Sequence, residues 1–236
     1  MSTNTQSAHF NYTISEWSSK KHQDYLDIIF KNNDIHVIYD IGANVGGTAY
    51  TFLKYASDNF KNIKKIYCFE PDIENMIFLK NKMKSDIDNN IIVCINKGIY
   101  YGKTTAKAYG AGFIKNGKIH DNVGGYSIDE CMEQIIKIRN NNGDGVFCAQ
   151  VDEKIFELDT LENLSEDFLQ PDFIKIDVEG AEKNIIMHSS LIKNAKYIIL
   201  EWNHHDTCPH TFIKTYLPNF CIISITCDFL LKNIHI

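Results

Sequence analysis

The hydrophobic residues of this chain fall into short apolar runs, separated by segments in which apolar residues recur at helical spacing. The runs predict buried strands over residues 35–39, 63–69, 91–95, 173–176 and 197–200. The segments between and around them predict helices over residues 16–31, 48–56, 73–83, 181–189 and 209–217. Because strands alternate with helices, the pattern indicates an α/β fold whose mostly parallel sheet is covered on both faces.

The two ends of the chain depart from this alternation. Two final apolar runs, residues 221–226 and 229–236, predict an antiparallel hairpin at the edge of the sheet. Residues 1–34 are expected to form a loose polar leader followed by one helix. A length of 236 residues suits one α/β domain, so residues 1–236 are assigned to a single domain.

The regular alternation is interrupted between residues 102 and 150. This stretch is rich in glycine, contains short alternating runs and includes one helical piece near residues 128–139. We predict an inserted region of hairpins and a helix that covers the substrate side of the sheet. An oligomerisation surface is the alternative for the whole insertion. Two roles stay open for its aromatic residues, stacking on an acceptor or packing the insertion onto the body: Tyr100, Tyr101, Tyr109, Phe113 and Tyr126.

Composition and charge narrow the classes of partner. The net charge is −6 and the pI about 5.8, whereas nucleic-acid or anionic-membrane partners favour a basic surface. Seven cysteines without a CxxC pair indicate reduced thiols. The start of the chain lacks the apolar core of a signal peptide, and no stretch approaches the ~20 apolar residues of a membrane span. We therefore expect a cytoplasmic protein that binds neither nucleic acid nor membrane, with a homo-oligomer left open.

Polar residues stand at the end of each predicted parallel strand. They are Asp40, Glu70, Asn96, Asp177 and Glu201. Ligands of parallel α/β sheets bind beyond the carboxyl ends of the strands, where the loops from neighbouring strands meet. These five side chains are therefore expected to line one crevice.

The turn after the first strand indicates which ligand that crevice suits. Its glycines follow the spacing G-x-x-x-G-G, with Asn44 where a dinucleotide fingerprint has its middle glycine. No G-K-[S/T] sequence follows, which excludes a Walker phosphate loop, and Asp40 would repel a phosphate. The pattern favours a nucleoside that carries an ammonium group and no phosphate, as S-adenosylmethionine does. Glu70 is placed to accept hydrogen bonds from both ribose hydroxyls. Asn96 is either an adenine or ribose contact or a turn residue.

Three segments together resemble the FkbM family of S-adenosylmethionine-dependent methyltransferases. They are DIGANVG at 40–46, CFEPD at 68–72 and DFIKIDVEGAE at 172–182. The resemblance implies the class I methyltransferase fold, in which a seven-stranded Rossmann-like sheet has its last hairpin strand antiparallel. It also implies methyl transfer to oxygen, often on a sugar, a polyketide or a related small molecule.

The resemblance further implies which residues hold the cofactor. Asp40 and Gly42 would cradle its methionine part, and Glu70 would bind its ribose. The full set expected on this basis is Asp40, Gly42, Asn44, Gly46, Glu70, Pro71, Asn96 and Asp177.

Methyl transfer to an alcohol also needs a group that takes up the hydroxyl proton. The segment after the fifth strand contains adjacent histidines, and histidine is the natural base near neutral pH. We predict His204 first and His205 second as this base, with Asp206 or Glu201 orienting the ring. The alternative is that both histidines are solvated loop residues.

The DVEGAE segment that begins at Asp177 is expected where the methyl group emerges. Asp177 is a catalytic candidate as well as a cofactor contact, and the predicted substrate contacts are Glu179, Glu201 and Tyr126. Glu182 fits either a helix-start acid or a site residue.

Two hypotheses concern charge in the crevice. Lys175 lies within an apolar strand, and we expect it to pair with an acid because an unpaired buried ammonium is costly. A divalent cation would need ligands among Asp177, Glu201, His204 and Asp206. These residues have no tight metal spacing, so no metal site is assigned.

The residues and the resemblance together predict an O-methyltransferase that uses S-adenosylmethionine and releases S-adenosylhomocysteine. The expected acceptor is a hydroxyl of a small molecule or a sugar precursor, as in carbohydrate biosynthesis. Methylation of a nitrogen or of a phosphorus-linked oxygen on an activated carbohydrate is one alternative. A cofactor-binding protein without turnover is another.

Overall fold

The computed structural model describes residues 20–31, 34–115, 118–128, 146–204, 207–225 and 228–236. The predicted leader before residue 20 and most of the predicted helix at 128–139 lie outside these ranges. Over the described part of the chain, we find no helix with the length and apolar character needed to cross a membrane.

Eleven strands are described, and they form two sheets. In chain order they are β1 (Val37–Ile41), β2 (Lys65–Phe69), β3 (Ile92–Ile95), β4 (Gly98–Ile99), β5 (Thr105–Lys115), β6 (Lys118–Ile128), β7 (Val146–Asp159), β8 (Phe173–Ile176), β9 (Tyr197–Leu200), β10 (Phe220–Ile225) and β11 (Phe229–Asn233). The described helices are α1 (Lys20–Lys31), α2 (Gly47–Asp58), α3 (Ile73–Lys82), α4 (Lys84–Asp88), α5 (Leu161–Leu164), α6 (Glu182–His188), a 3₁₀ turn (Leu191–Asn194) and α7 (Pro209–Tyr216).

The main sheet has seven strands in the order β10-β11-β9-β8-β1-β2-β3. The pairs from β9 to β3 are parallel, and β11 runs antiparallel to both β9 and β10. This arrangement confirms the predicted mostly parallel seven-stranded sheet with an antiparallel hairpin strand. The strand order reverses direction beside β1, which is the position where such sheets bind their ligands.

Both faces of the central strands are buried by helices. Ile38 and Phe173 pack with residues of α1, α2 and α3 on one face. Tyr39 and Ile174 pack with residues of α6 and α7 on the other face. Every residue of β1, β8 and β9 is buried, which explains why these strands are apolar on both faces except for Asp40 and Lys175.

The insertion forms a second sheet of four strands in the order β4-β7-β5-β6. The antiparallel β5–β6 hairpin confirms the predicted hairpins. The sheet extends beyond the predicted limits, because β4 precedes residue 102 and β7 continues to Asp159. Residues 154–157 belong to this second sheet and pair with β5, from Lys154 opposite Ala108 to Glu157 opposite Thr105.

Candidate active site

The turn between β1 and α2 has a backbone that depends on glycine. Gly42 and Gly46 have φ angles of 84° and 82°, in the left-handed region that favours glycine. A Cβ atom on Gly42 would lie 1.7 Å from the carbonyl oxygen of Asp177. Asn44 is also left-handed, and its Oδ1 accepts a hydrogen bond from the Val45 amide at 2.8 Å. The turn is therefore packed directly against the loop that follows β8.

Asp40 lies beneath this turn. The sequence pattern places it at the tip of the first strand, whereas β1 continues to Ile41 and encloses it. The Asp40 carboxylate is fully buried, and Lys175 is its partner in the β1–β8 register. Lys175 Nζ lies 3.5 Å from Asp40 Oδ1 and 3.1 Å from Asp177 Oδ2, and it donates to the Gly42 carbonyl at 2.8 Å. The pairing predicted for Lys175 is thus observed.

The Asp40–Lys175 ion pair is buried beneath the turn, and burial affects the pKa of Asp40. Burial raises the pKa of Asp40 from 3.8 to about 6, although the nearby Lys175 ammonium opposes the shift. Neither carboxylate oxygen of Asp40 accepts a hydrogen bond within the described residues. Lys175 therefore supplies most of the compensation for this buried acid.

Replacing Lys175 with methionine is expected to lower the free energy of unfolding by about 3–5 kcal/mol, because it leaves a buried carboxylate without its counter-charge. The loss should be larger at pH 8 than at pH 5.5. The folded-state pKa of Asp40, already above its unfolded value, rises further in the variant, and a neutral carboxyl at low pH needs no counter-ion. Urea denaturation at both pH values measures the effect. In the control, Lys84→Met, an exposed pair with Asp88 is lost, and a change below about 1 kcal/mol is expected.

Glu70 follows β2 directly and is buried among backbone donors. Its Oε2 accepts from the Asn44 amide at 2.8 Å, and its Oε1 accepts from the Asp72 amide at 2.9 Å. The side-chain amide of Asn75 is 3.5 Å from the same Oε1. Burial raises the pKa of Glu70 from 4.5 to about 7, while the backbone donors lower it. Glu70 therefore links the β1–α2 turn to the start of α3.

Asn96 and Pro71 complete this side of the crevice. Asn96 follows β3 and donates its side-chain amide to the carbonyl oxygens of Glu70 and Pro71 at 2.8 and 3.1 Å. Its side-chain amide thus holds the β2 loop in place. Pro71 also packs beside Gly98, where a Cβ atom would lie 3.4 Å from the proline ring.

Two carboxyl groups pair at the ends of β8 and β9. The side chain of Asp177 is 36% exposed. Glu201 is hydrogen-bonded to Asp177 and also accepts from Asn203 Nδ2 at 3.1 Å. Burial and the negative charge of Asp177 raise the pKa of Glu201 well above its usual range. Asp177 and Glu201 are therefore two closely spaced acids at the ends of neighbouring strands, and the negative charge of Asp177 disfavours ionisation of Glu201.

The loop after Asp177 is held from both sides. Glu179 and Gly180 have φ angles of 52° and 110°. Ser127 of the inserted sheet donates its hydroxyl to the Glu179 carbonyl. From the other side, Glu182 Oε1 accepts from the Gly180 amide at 3.0 Å. The loop is therefore clamped between the second sheet and α6.

His204 is paired with Glu182. His204 Nε2 lies 2.9 Å from Glu182 Oε2, and the residues are 5% and 0% exposed. The Trp202 indole donates to the His204 carbonyl at 2.8 Å, which fixes the backbone of this loop. His204 Nδ1 is buried and has no hydrogen-bond partner among the described residues. The carboxylate beside the His204 ring is that of Glu182. Of the two acids expected to orient the ring, Glu201 accepts from Asn203 and Asp206 lies outside the described residues.

The other site predictions are placed as follows. His205 and Asp206 lie outside the described residues. Tyr126 packs edge-on against Phe156, with the Lys154 ammonium 4.7 Å from its ring centroid. Within the described residues, no group of three or more potential ligands is arranged to hold a metal ion.

Four of the five strand-end residues are where the sequence pattern put them. Glu70, Asn96, Asp177 and Glu201 each follow directly on β2, β3, β8 and β9. Sequence reasoning missed Lys154, which reaches this crevice from β7. Its signal was weak, because one lysine in a charged segment resembles a solvated strand face. Sequence reasoning also left the role of Glu182 undecided, although this residue contacts both the Gly180 amide and His204.

The comparisons with known proteins concern the family and the fold of this chain. The family described as "Methyltransferase FkbM domain" matches residues 40–220. A crystal structure of methyltransferase FkbM from Methylobacillus flagellatus KT superposes with a TM-score of 0.53 at 15% identity, covering 94% of this chain and 53% of that one. A precorrin-6y C5,15-methyltransferase from Geobacter metallireducens gives a TM-score of 0.45 at 11% identity, over 91% and 87% of the two chains. M. capricolum TrmK, bound to S-adenosylhomocysteine, gives 0.43 at 12% identity, over 92% and 69%. No curated protein matches the sequence.

Proposed function

The chain belongs to the FkbM family of methyltransferases, and from this premise we propose that it transfers a methyl group from S-adenosylmethionine to a hydroxyl of a small-molecule or sugar acceptor. The chain spans about half the length of the FkbM methyltransferase whose structure it matches. The observation that carries the proposal is the His204–Glu182 pair beside the acidic crevice, because it combines a proton acceptor with a cation-binding cleft.

The charges of the crevice suit this cofactor. S-adenosylmethionine carries a sulfonium and an ammonium group, and when bound it supplies the electrophilic methyl carbon. Asp177 offers an exposed carboxylate for the ammonium group, at the edge of the turn that contains Gly42. Glu70 is the candidate for the ribose hydroxyls, and Asn96 Oδ1 is the candidate acceptor for the adenine amino group. A dinucleotide is disfavoured, because the carboxylates of the crevice would repel its phosphates.

The pairing of His204 with Glu182 supports a role for this histidine as the general base. Because Glu182 is a carboxylate acceptor, it favours the tautomer in which His204 Nε2 carries the proton. Nδ1 then holds the lone pair, and it would take up the hydroxyl proton once the acceptor reaches this nitrogen, which is buried in the structure. The imidazolium that results is stabilised by the Glu182 carboxylate, as in other histidine–carboxylate pairs. Alignment of the oxygen with the methyl carbon contributes the rest, on the order of 7–11 kcal/mol in well-aligned cases.

A nitrogen acceptor is the second candidate. The negative charges of Asp177 and Glu179 raise the pKa of Glu201, so these three acids lie close together at the crevice. Such a concentration of negative charge favours an acceptor that carries an amine. Tandem mass spectrometry of the methylated product distinguishes the two, because fragmentation locates the methyl group on oxygen or on nitrogen.

Binding of S-adenosylhomocysteine is the first test of the proposal. Calorimetry should give a dissociation constant for the wild-type protein, and Glu70→Gln should weaken it by about 10- to 100-fold. The substitution removes a charged acceptor worth about 1.5–3 kcal/mol per hydrogen bond. Glu166→Gln, an exposed glutamate after α5, is the control and should bind like the wild type. A wild-type protein that binds NAD but not S-adenosylhomocysteine would contradict the proposed function.

A further inference from the structure

A lysine of the inserted sheet contacts two acids that follow Glu70 in the chain. Lys154 of β7 places its Nζ 2.7 Å from Asp72 Oδ2 and 2.8 Å from Glu74 Oε2. The same ammonium lies over the ring of Tyr126, 4.7 Å from its centroid. The Asp72 side chain is only 3% exposed, so this contact is shielded from solvent, whereas Glu74 is 72% exposed. The buried contact with Asp72 is therefore the stronger of the two.

Asp72 connects this lysine to Glu70. The Asp72 amide donates to Glu70 Oε1 at 2.9 Å, and its own Oδ1 accepts from the Glu74 amide at 2.8 Å as the N-cap of α3. Glu70 in turn accepts from the Asn44 amide in the β1–α2 turn. A continuous series of hydrogen bonds thus runs from β7 of the inserted sheet to the turn of the main sheet.

The charges along this series depend on Lys154. Asp72 and Glu70 are two buried acids separated in the chain only by Pro71, and the negative charge of Asp72 adds to burial in raising the pKa of Glu70. The groups that face Glu70 from the β1–α2 turn and from α3 are the neutral amides of Asn44 and Asn75. Lys154 is thus the cation that offsets Asp72, and its removal leaves two neighbouring carboxylates in a buried site.

We propose that Lys154 is a positioning residue for the ribose of the cofactor, and that it acts through Asp72 to keep Glu70 ionised and correctly placed. This inference rests on the proposed function and assigns part of the cofactor site to the inserted sheet. On this proposal the insertion contributes to cofactor binding as well as to acceptor binding, because Lys154 influences the ionisation and position of Glu70.

The test compares two ligands in calorimetry of the whole chain. The ligands are S-adenosylhomocysteine and its 2′,3′-dideoxyribose analogue, which lacks the hydroxyls that Glu70 accepts. Lys154→Met should weaken binding of S-adenosylhomocysteine about tenfold and binding of the analogue less than twofold. Lys107→Met is the matched control, because Lys107 lies in β5 of the same sheet and forms an exposed pair with Glu153. Equal losses for the two ligands in Lys154→Met would overturn the proposal, since a general structural defect affects both.

The pH dependence gives a second readout. Affinity for S-adenosylhomocysteine should fall as pH decreases through about 7, because protonated Glu70 loses an acceptor. In Lys154→Met the midpoint should move to higher pH, and Lys154→Arg should restore it. Asp72→Asn keeps the helix cap and removes the charge, so its midpoint should move to lower pH. This variant tests the proposal independently if Lys154→Met fails to fold. Unshifted midpoints in Asp72→Asn and Lys154→Met would overturn the proposal, whereas wild-type protein without affinity for S-adenosylhomocysteine would overturn the proposed function itself.

Discussion

Replacing His204 with glutamine is expected to lower the turnover number by about 10²- to 10⁴-fold, the usual contribution of a general base. Affinity for S-adenosylhomocysteine should stay within about twofold, because His204 contacts Glu182 and Trp202, neither of which is a predicted cofactor residue. Glutamine occupies a similar volume and can still donate to Glu182, but it cannot take up the hydroxyl proton. Turnover is measured by the release of S-adenosylhomocysteine with the best acceptor found.

Two variants separate catalysis from folding in this experiment. Glu182→Gln should lower turnover by a smaller factor, because His204 stays present while its imidazolium loses its partner. His210→Gln removes an exposed histidine at the start of α7 and should leave turnover unchanged. If His204→Gln retained wild-type turnover, His204 would not be the base, and its contact with Glu182 would only stabilise the fold.

Replacing Gly42 with alanine is expected to weaken binding of S-adenosylhomocysteine by more than 100-fold and to destabilise the fold by about 2–5 kcal/mol. The added methyl group would stand 1.7 Å from the Asp177 carbonyl oxygen, which is backbone and cannot rotate away. Either the β1–α2 turn or the β8 loop must then shift. Because Lys175 joins both segments, the shift also disturbs its contacts with Asp40 and Asp177.

Gly102 provides a matched control for this substitution. Its φ of 98° is also left-handed, but a Cβ atom there meets no atom within 4 Å. Gly102→Ala therefore reports the backbone cost alone, about 1–2 kcal/mol, and should leave ligand affinity unchanged. Thermal unfolding and calorimetry of both variants separate the collision from the conformational cost. Similar effects at the two positions would show that the close approach to Asp177 is unimportant.

The sequence predicted the crevice well because parallel strands impose a simple rule. Each strand end carries its loop to the same edge, so Glu70, Asp177 and Glu201 could be placed from apolar runs alone. Asp40 was located less accurately, because an acid after an apolar run looks like a strand end. Its enclosure depends on Lys175, which the β1–β8 register brings opposite it, and register between strands so distant in sequence cannot be derived from periodicity.

The inserted region was predicted least well for a related reason. Its hairpins were visible as alternating runs, but the extent of β7 was not, because residues 154–158 carry the same pattern in either sheet. The partner of Lys154 likewise depends on how the second sheet sits against α3. Glu182 was expected to be either a helix-start acid or a site residue. Its Oε2 contacts His204 only because the folded loops bring the two residues together. Contacts of this kind belong to the tertiary structure, not to the local pattern.

The position of β1 between β2 and β8 has a consequence for synthesis on the ribosome. The Val37 amide donates to Asp172, and the two residues are 135 positions apart in the chain. At about 5–20 residues per second, β1 waits roughly 7–27 s for its second neighbour, with one edge unpaired. An unpaired apolar strand is prone to associate with other chains during that interval. Meanwhile the β5–β6 hairpin, whose strands are adjacent in sequence, can fold within microseconds of its emergence. The nascent chain therefore completes part of its inserted sheet before its central sheet, and a chaperone that shields β1 should raise the yield of folded protein.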